Sequence, residues 1–248
     1  MTLGIIYLIF MSLLAGILTG IVGMASLTLY PVLLSIGVAP ITANATITCA
    51  QVGAGCGTVL SSLKELRHNW KIVIQIAILS TLGSVLGALI LVHNSTREFT
   101  EIVPIFILLA GIMILTPPRK NKRWINSKGA FYLSWIGIFL VGIYNGYFGA
   151  AAGLLMIAVL SKIIRHQYAI YNAVRNFASF TSNIVAAGIF IWKLSIDWKV
   201  IIPLLVGLFI GGYLGPIIVR FIPSKVIQSL VGVFAIVLAM VLGYQAYL

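Results

Sequence analysis

Two short runs of polar side chains sit inside sequence that is otherwise almost entirely apolar. Asn44, Thr48, Gln51 and Gly55 stand at i, i+4, i+7 and i+11, one face of a helix, and Asn172, Asn176, Ser179 and Asn183 repeat that face later in the chain. Arg175 and Ser182 widen the second stripe. Polar groups in hydrocarbon need partners or a cavity. Neutral donors beside one guanidinium suit an oxyanion: the donors orient it, and the cation offsets the cost of removing it from water. Asn44, Thr48, Gln51, Asn172, Arg175, Asn176 and Ser179 are therefore the candidate substrate-binding residues. The plainer reading of any single Asn or Thr is a hydrogen bond between helices. For Arg175, about one and a half turns into its helix, it is snorkelling to the cytoplasmic surface.

A second feature precedes each stripe. Gly16, Gly20 and Gly23 spell G-x-x-x-G-x-x-G, and Gly142, Gly146 and Gly149 spell it again, with Asn145 inside. Glycines at this spacing let helices touch closely or let a helix break within the membrane. In both halves the series ends where a short apolar piece begins, which favours a break. Gly20, Gly23, Gly146, Gly149 and Gly153 are the candidate helix-break residues. A half-helix that starts after a break presents free N–H groups to an anion.

Other chemistry is poorly supplied. The carboxylates are Glu65, Glu98, Glu101 and Asp197, all in or beside connections, so a mid-membrane carboxylate relay is disfavoured. His68, His93 and His166 also fall in connections, so no metal site and no cofactor are expected. Cys49 and Cys56 lie roughly 10 Å apart along one helix, too far for a disulfide. With no nucleophile and base in a span, no catalytic residue is assigned and the chain is not read as an enzyme.

The elements that position these residues follow from composition. Of 248 residues 61% are apolar and 8% charged, more apolar surface than a soluble domain can hide. The fold class is all-α, a polytopic membrane protein. Full spans read as Gly4 to Val22, Ile41 to Leu63, Trp70 to Val92, Phe99 to Thr116, Gly129 to Phe148, Ile170 to Trp192, Trp198 to Val219 and Val226 to Tyr247. Two pieces, Met24 to Gly37 and Ala150 to Ile164, are too short for a full crossing and read as broken or re-entrant helices. Trp70, Trp192 and Trp198 mark span ends, where an indole sits at the headgroup level. The first 23 residues lack a basic n-region, so the N-terminus is expected to stay as a spanning helix. The formal charge of +12 is gathered in small groups between spans, which sets topology and does not point to nucleic acid.

The chain repeats itself. The glycine series recurs at an offset of 126, and Asn44-Ala45, Trp70-Lys71, Gly83 and Gly87 recur at 128. Residues 1–118 form the first membrane repeat, 119–128 a basic cytoplasmic linker, and 129–248 the second repeat. If the short pieces turn back, each half crosses four times and the repeats are parallel. If they cross, each half crosses five times, and every Lys and Arg outside the spans faces the cytoplasm except Arg97, Lys193 and Lys199. The positive-inside rule favours the second arrangement, inverted repeats with both termini outside.

The duplicated breaks AGILTGIVGMAS and VGIYNGYFGAAAG, followed by the helix starts TANATITCAQ and YNAVRNFASF, resemble the sulfite exporter TauE/SafE family, also called the 4-toluene sulfonate uptake permease family. The resemblance covers Gly4 to Leu248 and implies movement of sulfite, sulfonates and related organic sulfur anions. The sequence departs from the family's run of glycines after the first break, having Met24-Ala25-Ser26 there. The reading is a secondary transporter or facilitator of a small sulfur-containing anion, multi-pass in a bacterial inner membrane. Its partners are the lipid bilayer and the anion, and a homo-oligomer is compatible with it. The alternatives are an anion channel, with flux that does not saturate, and a non-transporting membrane subunit, silent in purified liposomes.

Overall fold

The computed structural model describes residues 2–67, 69–115, 128–164, 168–221, 233, 236–244 and 246. Among these residues the regular structure is entirely helical: α1 (Thr2–Val22), α2 (Ala25–Ser35), α3 (Pro40–Ser61), α4 (Leu63–Leu66), α5 (Trp70–His93), α6 (Thr96–Leu115), α7 (Lys128–Tyr147), α8 (Ala152–Ile163), α9 (Tyr168–Lys193) and α10 (Trp198–Val219). Residues 236–244 continue as helix. The linker, apart from Lys128, and much of the expected span from Val226 to Tyr247 lie outside the described residues.

Helix ends follow local chemistry. Pro40 opens α3 at its first position, where its missing N–H is not needed. The Asp197 side chain accepts the Lys199 N–H at 3.1 Å and caps α10. At α6 the sequence Ser95-Thr96-Arg97-Glu98 makes a capping box, with Glu98 N–H donating to Ser95 Oγ at 3.2 Å and Ser95 N–H donating to Glu98 Oε2 at 2.8 Å. These bonds from the Ser95 N–H and hydroxyl hold the Glu98 carboxyl below its ordinary range. They also start α6 three residues before the span expected from Phe99.

Among the described residues three helices are long and apolar enough to cross a membrane, Gly4–Val22, Trp70–His93 and Trp198–Val219. Large apolar side chains such as Ile6, Ile78, Leu82, Ile136, Leu140 and Ile202 point outward, as a lipid solvent requires. Trp192 and Trp198 stand exposed at the ends of α9 and α10, the belt position for indoles.

The halves interlock. α1 packs chiefly on α10, and α7, its counterpart in the second half, packs chiefly on α5. Glycines make both seams. A Cβ on Gly16 would lie 2.8 Å from Leu208 O, and one on Gly215 would lie 2.5 Å from Gly20 Cα. Gly142 meets Ser80 and Gly146 meets Ser84 in the same manner. These contacts fix direction. Ser12, Gly16 and Gly20 meet Gly207, Gly211 and Gly215 in order, so α1 runs along α10 in the same sense. Thr46 bonds Asp197, and Gly53 and Gly57 meet Leu205 and Phe209, so α3 shares that sense. Ser80 and Ser84 meet Gly142 and Gly146, and Trp70 and Ser80 meet Phe177 and Ser182, so α5, α7 and α9 run together. Cys49, Gln51 and Gly55 meet Ala187, Asn183 and Phe180 in descending order, so α3 and α9 run oppositely.

Candidate functional site

The backbone turns left-handed after α1 at Gly23 (φ +78°) and after α7 at Gly149 (φ +72°) and Ala151 (φ +57°), and Gly37 (φ +87°) does the same after α2. Glycine adopts this geometry freely. At Ala151 the side chain crowds the following carbonyl, at a cost of about 1 to 2 kcal/mol. Gly20 and Gly146 do not break their helices. Both stay in the last turn before the break and serve as contact points with α10 and α5, which is the close-packing role of small residues. Gly153 lies in the first turn of α8. The two breaks touch there, since a Cβ on Gly23 would come within 2.6 Å of Gly153 Cα.

A helix that stops inside the fold leaves unpaired carbonyls at its C-terminus, and the start of α9 supplies their donors. Arg175 Nη1 donates to Thr19 O at 2.9 Å, Asn172 Nδ2 to Gly20 O at 2.9 Å and Tyr168 OH to Ile21 O at 2.8 Å. Arg175 Nη2 donates to Gly20 O at 3.3 Å and to Asn172 Oδ1. The guanidinium thus sits at the negative end of the α1 dipole. The second half mirrors this with Asn44, whose Nδ2 donates to Tyr147 O at 3.0 Å at the end of α7. Each half therefore caps the other's broken helix with the Asn that opens its polar stripe. The symmetry stops at Arg175, because the equivalent position carries Ile47.

Between the breaks lies a small cavity, ≈ 20 Å³, room for about one water molecule. It is lined by equivalent pairs from the two halves: Thr19 and Asn145, Gly23 and Gly149, Gln51 and Ser179, Gly55 and Asn183. The cavity thus lies between residues 19–58 and residues 145–183. Arg175, Asn176, Phe180, Thr58 and Gly153 complete it. A chain of amides crosses one wall: Asn145 Nδ2 donates to Asn183 Oδ1 at 3.1 Å, Asn183 Nδ2 to Gln51 Oε1 at 3.1 Å, and Gln51 Nε2 to Ser26 Oγ at 2.9 Å. It joins the end of α7 to the start of α2.

Two donors in the lining have no partner. Arg175 is 1% exposed and Asn176 3%, yet Arg175 Nε and Asn176 Nδ2 make no hydrogen bond. A buried donor without a partner is costly, and each of these two is open to an acceptor.

Of the residues singled out in the sequence, Gln51, Arg175, Asn176 and Ser179 line the cavity together with Gly23, Gly149 and Gly153. Asn44 and Asn172 stand behind it on the helix ends. Thr48 is buried with its hydroxyl donating to Asn44 O at 2.9 Å, within its own helix. Arg175 does not snorkel: it is wholly enclosed. Thr19, Thr58, Phe180 and the Ser26 link are additions. The repeat offset signals Thr19, through its equivalence to Asn145; no pattern signals Thr58 or Phe180.

The chain is similar to known proteins over nearly all its length. A probable membrane transporter protein, YfcA, of Escherichia coli K12 is 26% identical over 99% of this chain and 91% of its own. A probable membrane transporter protein of Haemophilus influenzae is 24% identical over 93% of this chain and 91% of its own. The probable membrane transporter protein YunE of Bacillus subtilis is 22% identical over 97% of both. No solved structure matches. The family model for sulfite exporter TauE/SafE matches residues 8–242, which takes in both breaks, both stripes and the cavity between them. The chain belongs to the sulfite exporter TauE/SafE family.

Proposed function

We propose that the chain is a secondary transporter of a small sulfur-containing anion across a bacterial inner membrane, and that the cavity between the halves is its binding site. The observation that carries this is that Arg175 and Asn176 both line the cavity, and that each keeps a buried donor without a partner, Arg175 Nε and Asn176 Nδ2. A buried cation next to free donors is what an oxyanion needs and what an uncharged solute would not repay. The sulfur chemistry is supported by the family's description alone.

The halves are proposed to be inverted repeats. Three equivalent pairs support it: α3 runs opposite to α9, α1 opposite to α7, and α5 opposite to α10. Because α1 and α3 share a direction, α2 and the link after it make the return, which supports five passes in the first half. An odd number of passes is what inversion requires. The loop charges then put both termini in the periplasm. Reporters fused before Met1 and after Leu248 should both read periplasmic; a cytoplasmic C-terminus would restore parallel repeats.

A carrier is favoured over a channel by the size of the cavity. Sulfite has four heavy atoms and the space holds about one water, so binding requires the cavity to widen. Flux in proteoliposomes tests the whole reading, with sulfite, thiosulfate, sulfoacetate, sulfate and chloride, with and without proton and sodium gradients. Saturable sulfur-anion flux with counterflow is expected. Flux that rises without limit identifies a channel, and none at all a subunit.

A further inference from the structure

If the cavity binds an anion, the surrounding charges restrict which anion it accepts. Among the described residues Arg175 is the one charged side chain in the lining. α1, α3, α7 and α8 turn Thr19, Gln51, Thr58, Asn145 and glycines towards it, and the neutral phenol of Tyr168 stands behind on the end of α1. Part of the arginine's charge is already engaged: Nη1 and Nη2 serve Thr19 O and Gly20 O, at a helix end that carries about half a negative charge. What remains without a partner on these two lining residues is Arg175 Nε and Asn176 Nδ2.

We infer that the site takes a singly charged oxyanion, a sulfonate or the protonated form of sulfite, and rejects dianions of the same size. This rests on the reading of the cavity as the anion site. A monoanion beside Arg175 makes a neutral buried pair. A dianion leaves one charge uncompensated beside a single buried cation, and burying an unpaired charge is heavily penalised. The first half offers no remedy, because Ile47 holds the place equivalent to Arg175 and is itself fully buried. The selection needs no acidic residue in the membrane: for sulfite, the proton that makes it acceptable travels on the substrate.

Calorimetric titration of the full chain in lipid nanodiscs decides the matter, with methanesulfonate, sulfate and sulfite as probes from mildly acidic to mildly alkaline pH. Methanesulfonate should bind with an affinity that pH does not change, which also shows that no protein group such as Tyr168 is titrating. Sulfate should bind about 100-fold more weakly or worse. Sulfite should weaken towards the sulfate value as pH rises and bisulfite loses its proton. Sulfate binding as tightly as methanesulfonate, or a sulfite affinity flat with pH, overturns the charge selection while leaving the anion site standing. Failure of all three probes to bind overturns the anion site itself, and the selection with it.

Discussion

Replacing Arg175 with glutamine is expected to weaken binding of a sulfur oxyanion by about 1.5 to 3 kcal/mol, the range for a charge-assisted hydrogen bond. Glutamine keeps an amide donor and much of the volume, so the loss isolates the charge. Lysine should fall between, because it keeps the charge and loses the planar fork that serves two carbonyls and the cavity at once. The residue has a second duty that must be separated from the first. Its Nη1 and Nη2 cap the last turn of α1, so a poor replacement lowers the amount of folded protein before it lowers affinity. Affinity per folded molecule, measured in nanodiscs beside a thermal unfolding curve, distinguishes the two. An Arg175→Gln protein that unfolds early and binds with unchanged affinity would make the guanidinium a helix cap only, and would leave the anion to neutral donors.

The other large effect is expected where no ligand is involved. Gly16→Ala adds one methyl group where the three nearest atoms are all backbone: Leu208 O at 2.8 Å, Gly212 N at 2.9 Å and Gly211 Cα at 3.0 Å. Backbone cannot turn aside as a side chain can, so α1 and α10 must separate. Overpacking of this kind costs about 1 to 3 kcal/mol, and Gly16→Leu should exceed it. Gly188→Ala is the matched control, since nothing lies within 4 Å of its added Cβ. Unfolding midpoints in detergent should fall for Gly16→Ala and stay level for Gly188→Ala. Equal midpoints for the pair would mean that the seam is looser than its backbone contacts imply.

The sequence carried the helices well where a single property decides them. α10 begins at Trp198 and ends at Val219, the limits that its apolar run and its indole imply. It carried α6 less well, because the span was placed by hydropathy whereas the helix starts at the Ser95 and Glu98 capping box, in polar sequence. The polar faces of α3 and α9 were legible from their spacing, and the repeat brought the two together. Which member of each face meets the cavity was not legible. Asn44 and Asn172 share the periodicity of Gln51 and Ser179, yet they are taken up by carbonyls 103 and 152 residues away. Only the crossing of the halves determines that, and no local pattern encodes it. Arg175 shows the same limit: its depth along the helix left snorkelling open, and the end of α1 above it closed that route.

The interlocking of the halves also sets a clock during synthesis. α1 leaves the ribosome first, but its glycine face has no partner until α10 follows; Ser12 Oγ and Pro203 O, which meet at 3.3 Å, are 191 residues apart. At about 5 to 20 residues per second, roughly 10 to 40 s pass with that face open to lipid or to the wrong helix. The same holds in reverse for α5, which waits for α7. Neither half can complete its own packing alone, so the small-residue faces of the first half stay without their partners until the second half arrives.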